Sequence, residues 1–332
     1  MTVARKNKFI LLSLVLLFPI LCGLHLFAGE ISVSFSDFWN SLLNFNTDNT
    51  SQTIIREFRI PRLTMGILAG GGLSIAGLFM QTMFNNPLAG PYILGINSGS
   101  SLFVAFSVMT GIPFLTSNIG TISSALIGAF IFGLIILSFS YLVKSHISLL
   151  LIGIMLGSFT SAIVSILQTM SEPNQLKLFT MWTMGSLQQV EFTELPLIIL
   201  FFIVGISLSL FMIKPLNALV IGESQALTLG IHVKYVRLAL ISITAILTGI
   251  ITAYCGPIAF VGLAVPNIVK MIFKTQSHLT LLIGCFLIGS FFMLICDILI
   301  QLLESTIHIP INALTSIIGA PFVIIIVLKR LA

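Results

Sequence analysis

Asp297 is the one carboxylate set well inside an apolar block, flanked by Ile295, Cys296, Ile298 and Leu299. A carboxylate in that setting could relay a proton, hold an ion or accept structural hydrogen bonds from helix ends. The sequence shows no clear basic partner for it, and structural pairing is the expectation. His25, His146, His232, His278 and His308 show neither an HExxH pair nor another ligand spacing, which argues against a metal centre. Cys22, Cys255, Cys285 and Cys296 form no CxxC pair and lie in or beside apolar blocks, so they read as small buried hydrophobes. Gly95-Ile-Asn-Ser-Gly99 has phosphate-loop glycines without the Lys-Ser/Thr pair, and Gly256-Pro257-Ile-Ala-Phe-Val-Gly262 also lacks that chemistry. The second segment reads instead as a helix interrupted within a membrane. Gln168, Gln301 and His308 fall near expected outer ends, where polar tips cost little. No catalytic set, cofactor site or metal site is expected.

The elements that hold these residues follow from composition. Of 332 residues, 57% are hydrophobic and 8% charged, with mean hydropathy +1.14, whereas soluble domains carry roughly 25% charged residues. The apolar blocks predict an all-α polytopic membrane protein, a single transmembrane domain over 1–332. Ten helices are expected near 9–28, 63–84, 93–108, 119–143, 148–170, 195–213, 237–254, 258–273, 279–302 and 313–328. The first is read as a retained helix rather than a cleaved signal, because no small-x-small site follows it convincingly. Gly66, Gly70, Gly71, Gly72 and Gly77 in the second predict close helix packing. The net charge of +5 comes from scattered Lys and Arg with no basic stripe, which excludes nucleic acid as partner. Eleven of these cations (Arg5, Lys6, Lys8, Lys144, Lys214, Lys234, Arg237, Lys270, Lys274, Lys329 and Arg330) fall on one side of a ten-span topology. Four (Arg56, Arg59, Arg62 and Lys177) fall on the other. The asymmetry predicts both termini in the cytoplasm.

The inside segment 214–236 is longer than a connecting loop requires. Glu223, Ala226, Leu227 and Leu229 are spaced as in a short helix ended by Gly230, a cytoplasmic surface element able to dock a separate protein, with Ala226 and the leucines as its docking surface. Arg56 and Arg59, three apart ahead of the second span, are expected to present two cations to solvent on one side of a helical turn.

The motifs carry a resemblance. Arg59-Ile-Pro61-Arg62, Gln81, Asn86-Pro87-Leu88-Ala89-Gly-Pro91 and Leu94-Gly95-Ile-Asn-Ser98-Gly99 resemble the opening signature of the FecCD (BtuC-like) permeases. Trp182-Thr-Met-Gly185-Ser186, Gly222-Glu223 to Leu229-Gly230, Gly256-Pro257 to Gly262 and Pro266, Asp297, and Gly319-Ala320-Pro321-Phe322 follow in the family's order. The resemblance spans essentially the whole chain. It implies the ten-helix BtuC-like fold in the bacterial cytoplasmic membrane, and a membrane subunit of an ABC importer for iron-siderophores, haem or cobalamin that is itself no enzyme. Implied partners are a second, homologous permease, identical or not, a cytoplasmic ABC ATPase dimer, an extracellular or periplasmic substrate-binding protein and an iron-chelate substrate. The family's coupling helix corresponds to Gly222, Glu223, Ala226, Leu227, Leu229 and Gly230, and its binding-protein contacts to Arg56 and Arg59. Its pathway-lining fifth helix makes Ser145, His146, Ser148, Gly153, Gly157, Ser158 and Thr160 translocation candidates.

The chain departs from the family pattern at Asn267, where a histidine is usual, and at Gln301, where an arginine is usual. His308 and Asn312 stand where the family has Glu and Gly. Uptake of an iron-siderophore is the leading reading, haem or cobalamin import the alternative. An ion-coupled secondary transporter is a further contender that the coupling segment argues against.

Overall fold

The computed structural model describes residues 3–29, 31–46, 48–143, 145–304 and 307–331, and every regular element among them is helical. α1 (Val3–Phe27) is followed by a short α2 (Phe35–Leu43), whose first turn is closed by Ser34 and Asp37. α3 (Thr50–Met83) is the longest rod. Then come α4 (Ile96–Met109), α5 (Asn118–Leu142), α6 (His146–Met170), α7 (Pro173–Met184), α8 (Leu195–Phe211), α9 (Ile213–Ile221) and α10 (Glu223–Thr228). The chain ends with α11 (Val233–Cys255), α12 (Val261–Phe273), α13 (His278–Leu303) and α14 (Ile311–Leu331). Among the described residues seven helices are long and apolar enough to cross a membrane: α1, α3, α5, α6, α8, α11 and α13. α4, α12 and the apolar part of α14 are shorter. The 13 residues of α12 rise about 20 Å, less than the ~30 Å hydrocarbon core.

α3 is the hub. Its apolar window is 83% buried, against 6% for α1 and 17% for α6, so the bundle is built around α3 while α1 and α6 leave broad faces open. The glycines make this possible. A Cβ on Gly70 would overlap the Gly289 carbonyl of α13, and one on Gly77 would overlap the Gly262 carbonyl of α12. At that approach the Ser290 hydroxyl of α13 donates to the Ile67 carbonyl at 2.9 Å. Gly77→Ala is therefore expected to force α12 off α3 and destabilise the protein by about 1–3 kcal/mol. Gly23→Ala, on the open face of α1 with no atom near the added methyl, is expected to be neutral or mildly stabilising. Thermal unfolding of the two variants in detergent checks the contrast.

The second span begins earlier than its sequence indicates. Pro61 lacks an N–H and would leave a gap in an α-helical ladder, yet α3 runs through it because residues Ile54–Arg59 form a wide π turn, closed by the Ile60 N–H on the Ile55 carbonyl. This extra length carries Arg56 and Arg59 on the rod itself. Arg62, inside the first half of α3, and Thr82, in its last turn, then lie about 30 Å apart along the rod.

Candidate functional site

Chemistry-bearing side chains collect at the two ends of α3. At the Thr82 end sits α10. Gly222, at φ 131°, breaks the chain out of α9, and Gly230, at φ 77°, stops α10. The Ile231 N–H donates to the Ala226 carbonyl and the Gly230 N–H to the Leu227 carbonyl, both at 3.0 Å, a Schellman closure that only a residue tolerant of the left-handed region makes cheaply. The helix is short because its two glycines require it to be. Ala226 is fully buried, whereas Leu227 and Leu229 are 58% and 64% exposed. The expected docking surface is thereby corrected: Ala226 points inward and seats the helix, and the two leucines form its free apolar face. Glu223 tethers the other end through an ion pair with Arg237 of α11 at 3.7 Å. Arg237, nearly buried, also donates to the Val143 carbonyl beyond α5 at 3.3 Å. A cavity of about 350 Å³ between Met83, Asn85, Gly222, Glu223 and Arg237 separates α10 from the end of α3.

At the Arg62 end, Asp297 of α13 is buried and fully paired. It accepts from His25 Nε2 of α1 at 2.7 Å, from Arg62 Nε and Nη2 at 2.7 and 3.0 Å, and from Gln301 Nε2 at 3.1 Å. The absence of a basic partner expected from the sequence is thus overturned; Arg62 lies 235 positions away and His25 272. Gln301, expected at an inexpensive outer tip, is instead buried inside this cluster. Arg62 Nη1 reaches Glu304 at 3.4 Å, and Gln188 Nε2 donates to Glu304 at 3.0 Å, which carries the network to the surface. An arginine binding a carboxylate through two nitrogens is the geometry that best compensates a buried charge.

Arg59 does not face solvent beside Arg56. It is 9% exposed and donates to the carbonyls of Leu26, at 2.7 Å, and Ile31. It ties the exit of α1 to α3 and has no free face for a partner. The π turn swings the two guanidiniums apart, since residues three apart no longer sit one turn above each other. Arg56 lies between the rings of Phe45 and Phe192, its guanidinium carbon 4.3 and 4.8 Å from their centroids, with about a third of its side chain exposed.

The translocation candidates divide between the two faces of α6. Ser145 is exposed and caps the helix by accepting from the Ser148 N–H at 3.4 Å; Ser148 is half-buried. The side chain of His146 lies outside the described residues. Gly153 and Thr160 are buried, and Gly157 faces Ser98 across the α4 contact. Ser158 alone of the later candidates sits on the exposed face. Ser161, Ser165 and Thr169, which the sequence reading missed, continue from it as a line of exposed hydroxyls. Their three- and four-residue spacing was the available signal.

Residues 15–329 match the model of the FecCD transport family. The chain belongs to that family. It is 32% identical over 307 residues to the hemin transport system permease protein HmuU of Yersinia pestis, covering 91% of this chain and 90% of that protein. It is 34% identical over 286 residues to the vitamin B12 import system permease protein BtuC of Photorhabdus laumondii, covering 84% and 83%. An inward-facing structure described as an ABC transporter of the metal-chelate type superposes with a TM-score of 0.86 at 31% identity, over 97% of this chain and 99% of that one. This FecCD chain is therefore a multi-pass ABC transporter permease with a BtuC-like fold, a transport subunit and not itself a catalyst. Permeases of the family work with a second permease, an ATPase dimer and a substrate-binding protein.

The FecCD signature residues act as joints between helices. Gln81 donates to the Leu263 carbonyl at 3.1 Å and accepts from Lys270 Nζ at 2.9 Å. The side chain of Asn86 accepts from the Leu88 N–H at 2.9 Å, closing the turn that brings Pro87 to α12. Asn267, in place of the family's histidine, donates to the carbonyls of Pro87 and Leu263, each at 2.8 Å. Asn312 accepts from the Ala259 N–H at 3.0 Å, holding the break between α11 and α12 from the α14 side, where Tyr92 accepts from the Ile258 N–H at 3.1 Å. Gly256 and Gly319 are the close approaches of that break: a Cβ on either would overlap the Trp182 carbonyl or the Phe260 Cβ. Gly95, at φ 75°, starts α4, and Gly99 packs against Gly128 of α5. Pro266 is buried inside α12, and Pro321 lies in α14. The departures at Asn267, Gln301 and Asn312 thus keep joints with amide groups.

Proposed function

We propose that this FecCD chain is the membrane half of an importer that carries a metal macrocycle, haem or a corrinoid, into the cytoplasm using ATP hydrolysis on partner subunits. Near-full-length similarity to a hemin permease and a vitamin B12 permease supports this reading ahead of the iron-siderophore one. The observation that carries the energy-coupling half is α10, a rigidly closed helix presenting Leu227 and Leu229 at one end of the bundle. A subunit that performs no chemistry must receive work through such a contact. An ion-coupled transporter would need a carboxylate free to change its charge partner, and Asp297 is saturated by three side chains.

On this reading the seven long and three shorter apolar helices count as ten crossings, with α12 reaching only part of the way through the hydrocarbon core, and both termini lie on the cytoplasmic side in accord with the basic-residue asymmetry. The open faces of α1 and α6 divide between lipid and a second permease, identical or homologous. The hydroxyl line from Ser158 to Thr169 borders the pathway between the two: Ser158, Ser165 and Thr169 donate to carbonyls of α6 itself and keep their oxygens open as acceptors toward a passing solute. The ATPase dimer docks at α10, and the substrate-binding protein docks at the opposite end, where Arg56, about a third exposed and 3.8 Å from Glu57, is the cation it meets. Arg56→Glu is expected to weaken binding-protein docking about tenfold at low salt, an effect that shrinks as salt screens the pair. Basal ATP hydrolysis should be unchanged. Binding-protein affinity measured at two ionic strengths checks both parts.

The function itself is tested in proteoliposomes holding the permease pair and ATPase, supplied with binding protein and, in turn, hemin, cyanocobalamin and a ferric siderophore. ATP-dependent uptake of hemin or cyanocobalamin is expected. Uptake of the ferric siderophore alone would reject the macrocycle reading, and uptake without the ATPase would reject the ABC reading.

A further inference from the structure

One wall of the outer cavity is not used by the charge network. The cavity holds about 460 Å³ between the last turn of α7, the loop after it and the segment leading into α14, with Arg62, Asp297 and Glu304 on its inner side. Met181 and Met184, three residues apart on α7, line it from one direction, and His308 lines it from the other. The methionines are 55% and 44% exposed, and His308 is exposed as well. Methionine is ordinarily a filler of apolar cores, and neither of these fills one. His308 has no hydrogen-bond or ion-pair partner among the described residues, so its ring nitrogens are free to bind. It stands where the family usually carries a glutamate.

Thioether and imidazole are the donors that hold haem iron at its axial positions. They are soft or borderline ligands, poorly suited to a ferric ion already enclosed by six hard oxygen donors in a siderophore, which has no vacant site to offer. A haem has two axial positions open to exchange. We propose that Met181, Met184 and His308 form an axial-ligand ledge that receives haem iron at the mouth of the permease. The proposal rests on the macrocycle-import reading and narrows it from haem or corrinoid to haem. Ligation there involves lone-pair donation from sulfur or nitrogen to iron, with no change of oxidation state. Because all three donors are solvent-accessible and His308 sits on a different segment from the two methionines of α7, the imidazole and thioether ligands can be released separately as the substrate moves on.

The test uses the full-length permease in lipid nanodiscs, titrated with hemin and, separately, with iron-free protoporphyrin IX as the control for partition into lipid. Hemin is expected to give a saturable Soret shift typical of nitrogen or sulfur ligation, which protoporphyrin does not mimic. His308→Ala and the pair Met181→Leu/Met184→Leu are each expected to weaken hemin binding about tenfold or more, the scale on which losing a metal-site partner weakens a site. All three positions are exposed, so the variants should fold, and wild-type elution and melting would verify it. Equal hemin spectra and affinities in wild type and variants would overturn the ledge, as would identical binding of hemin and protoporphyrin. Wild-type import of haem together with unchanged variant spectra would reject the ledge and leave the import reading standing. Spectral loss in the variants without any haem import by the wild type would do the reverse.

Discussion

Arg62→Leu is expected to be the most damaging single substitution in the outer half of the protein. It removes the two-nitrogen grip on Asp297 and leaves that buried carboxylate with only His25 and Gln301. Removing one partner of a buried pair costs about 3–5 kcal/mol, because the remaining charge stays out of water without compensation. The detergent-solubilised protein should unfold on the order of 10 °C lower, by the size scaling of melting temperatures. Asp297→Leu alone should be comparably harmful, since it strands the nearly buried Arg62 guanidinium. The double substitution Arg62→Leu/Asp297→Leu should recover a substantial part of the loss, because it removes both charges and replaces them with apolar volume. A double variant no more stable than either single one would show that the pair contributes something other than charge compensation. α1 is the element most exposed to failure, since it is only 6% buried over its apolar window and His25 and Arg59 are its polar ties to the bundle. Limited proteolysis between α1 and α2 should therefore accelerate in the single variants before the rest of the bundle is cut.

Leu227→Asp/Leu229→Asp should abolish transport without harming the fold. Both side chains point away from the bundle. Fully burying a leucine is worth about 1.5–3 kcal/mol, so a partner that covers both loses about a hundredfold or more in affinity when they are replaced by charges. Uptake should fall to the level of liposomes without ATPase, and the ATPase should no longer co-purify, while elution and melting of the permease match wild type. Ala226→Trp has a different expected signature. Its methyl is fully buried beneath the helix, so the indole must lift α10 off its seat. The overpacking, about 1–3 kcal/mol, should appear as a lowered melting point together with impaired coupling. Normal coupled uptake by the aspartate pair would remove α10 from the energy-transmitting contact.

What the sequence determined by itself is what is local in the chain. Apolar runs with few charges identify an all-α membrane protein, because a spanning backbone must satisfy its own hydrogen bonds. The glycines around 222–230 mark a short closed helix, because a positive φ is a property of single residues. The order of motifs along the chain was enough to reveal the family. Tertiary structure alone decided which faces meet. The partners of Asp297 come from helices 235 and 272 positions away, and no spacing rule connects them. Arg59 turned inward because the π turn rotates it toward the carbonyls at the end of α1. Ala226 and Leu227 are neighbours in sequence, both apolar, and face opposite ways. The hydroxyls of α6 were visible as residues but not as a surface. In a soluble helix the polar side marks the solvent face, and burial can be read from periodicity. These spanning helices are apolar all round, lipid and protein interior reward the same side chains, and the choice between them is made only by how closely a neighbouring helix can approach.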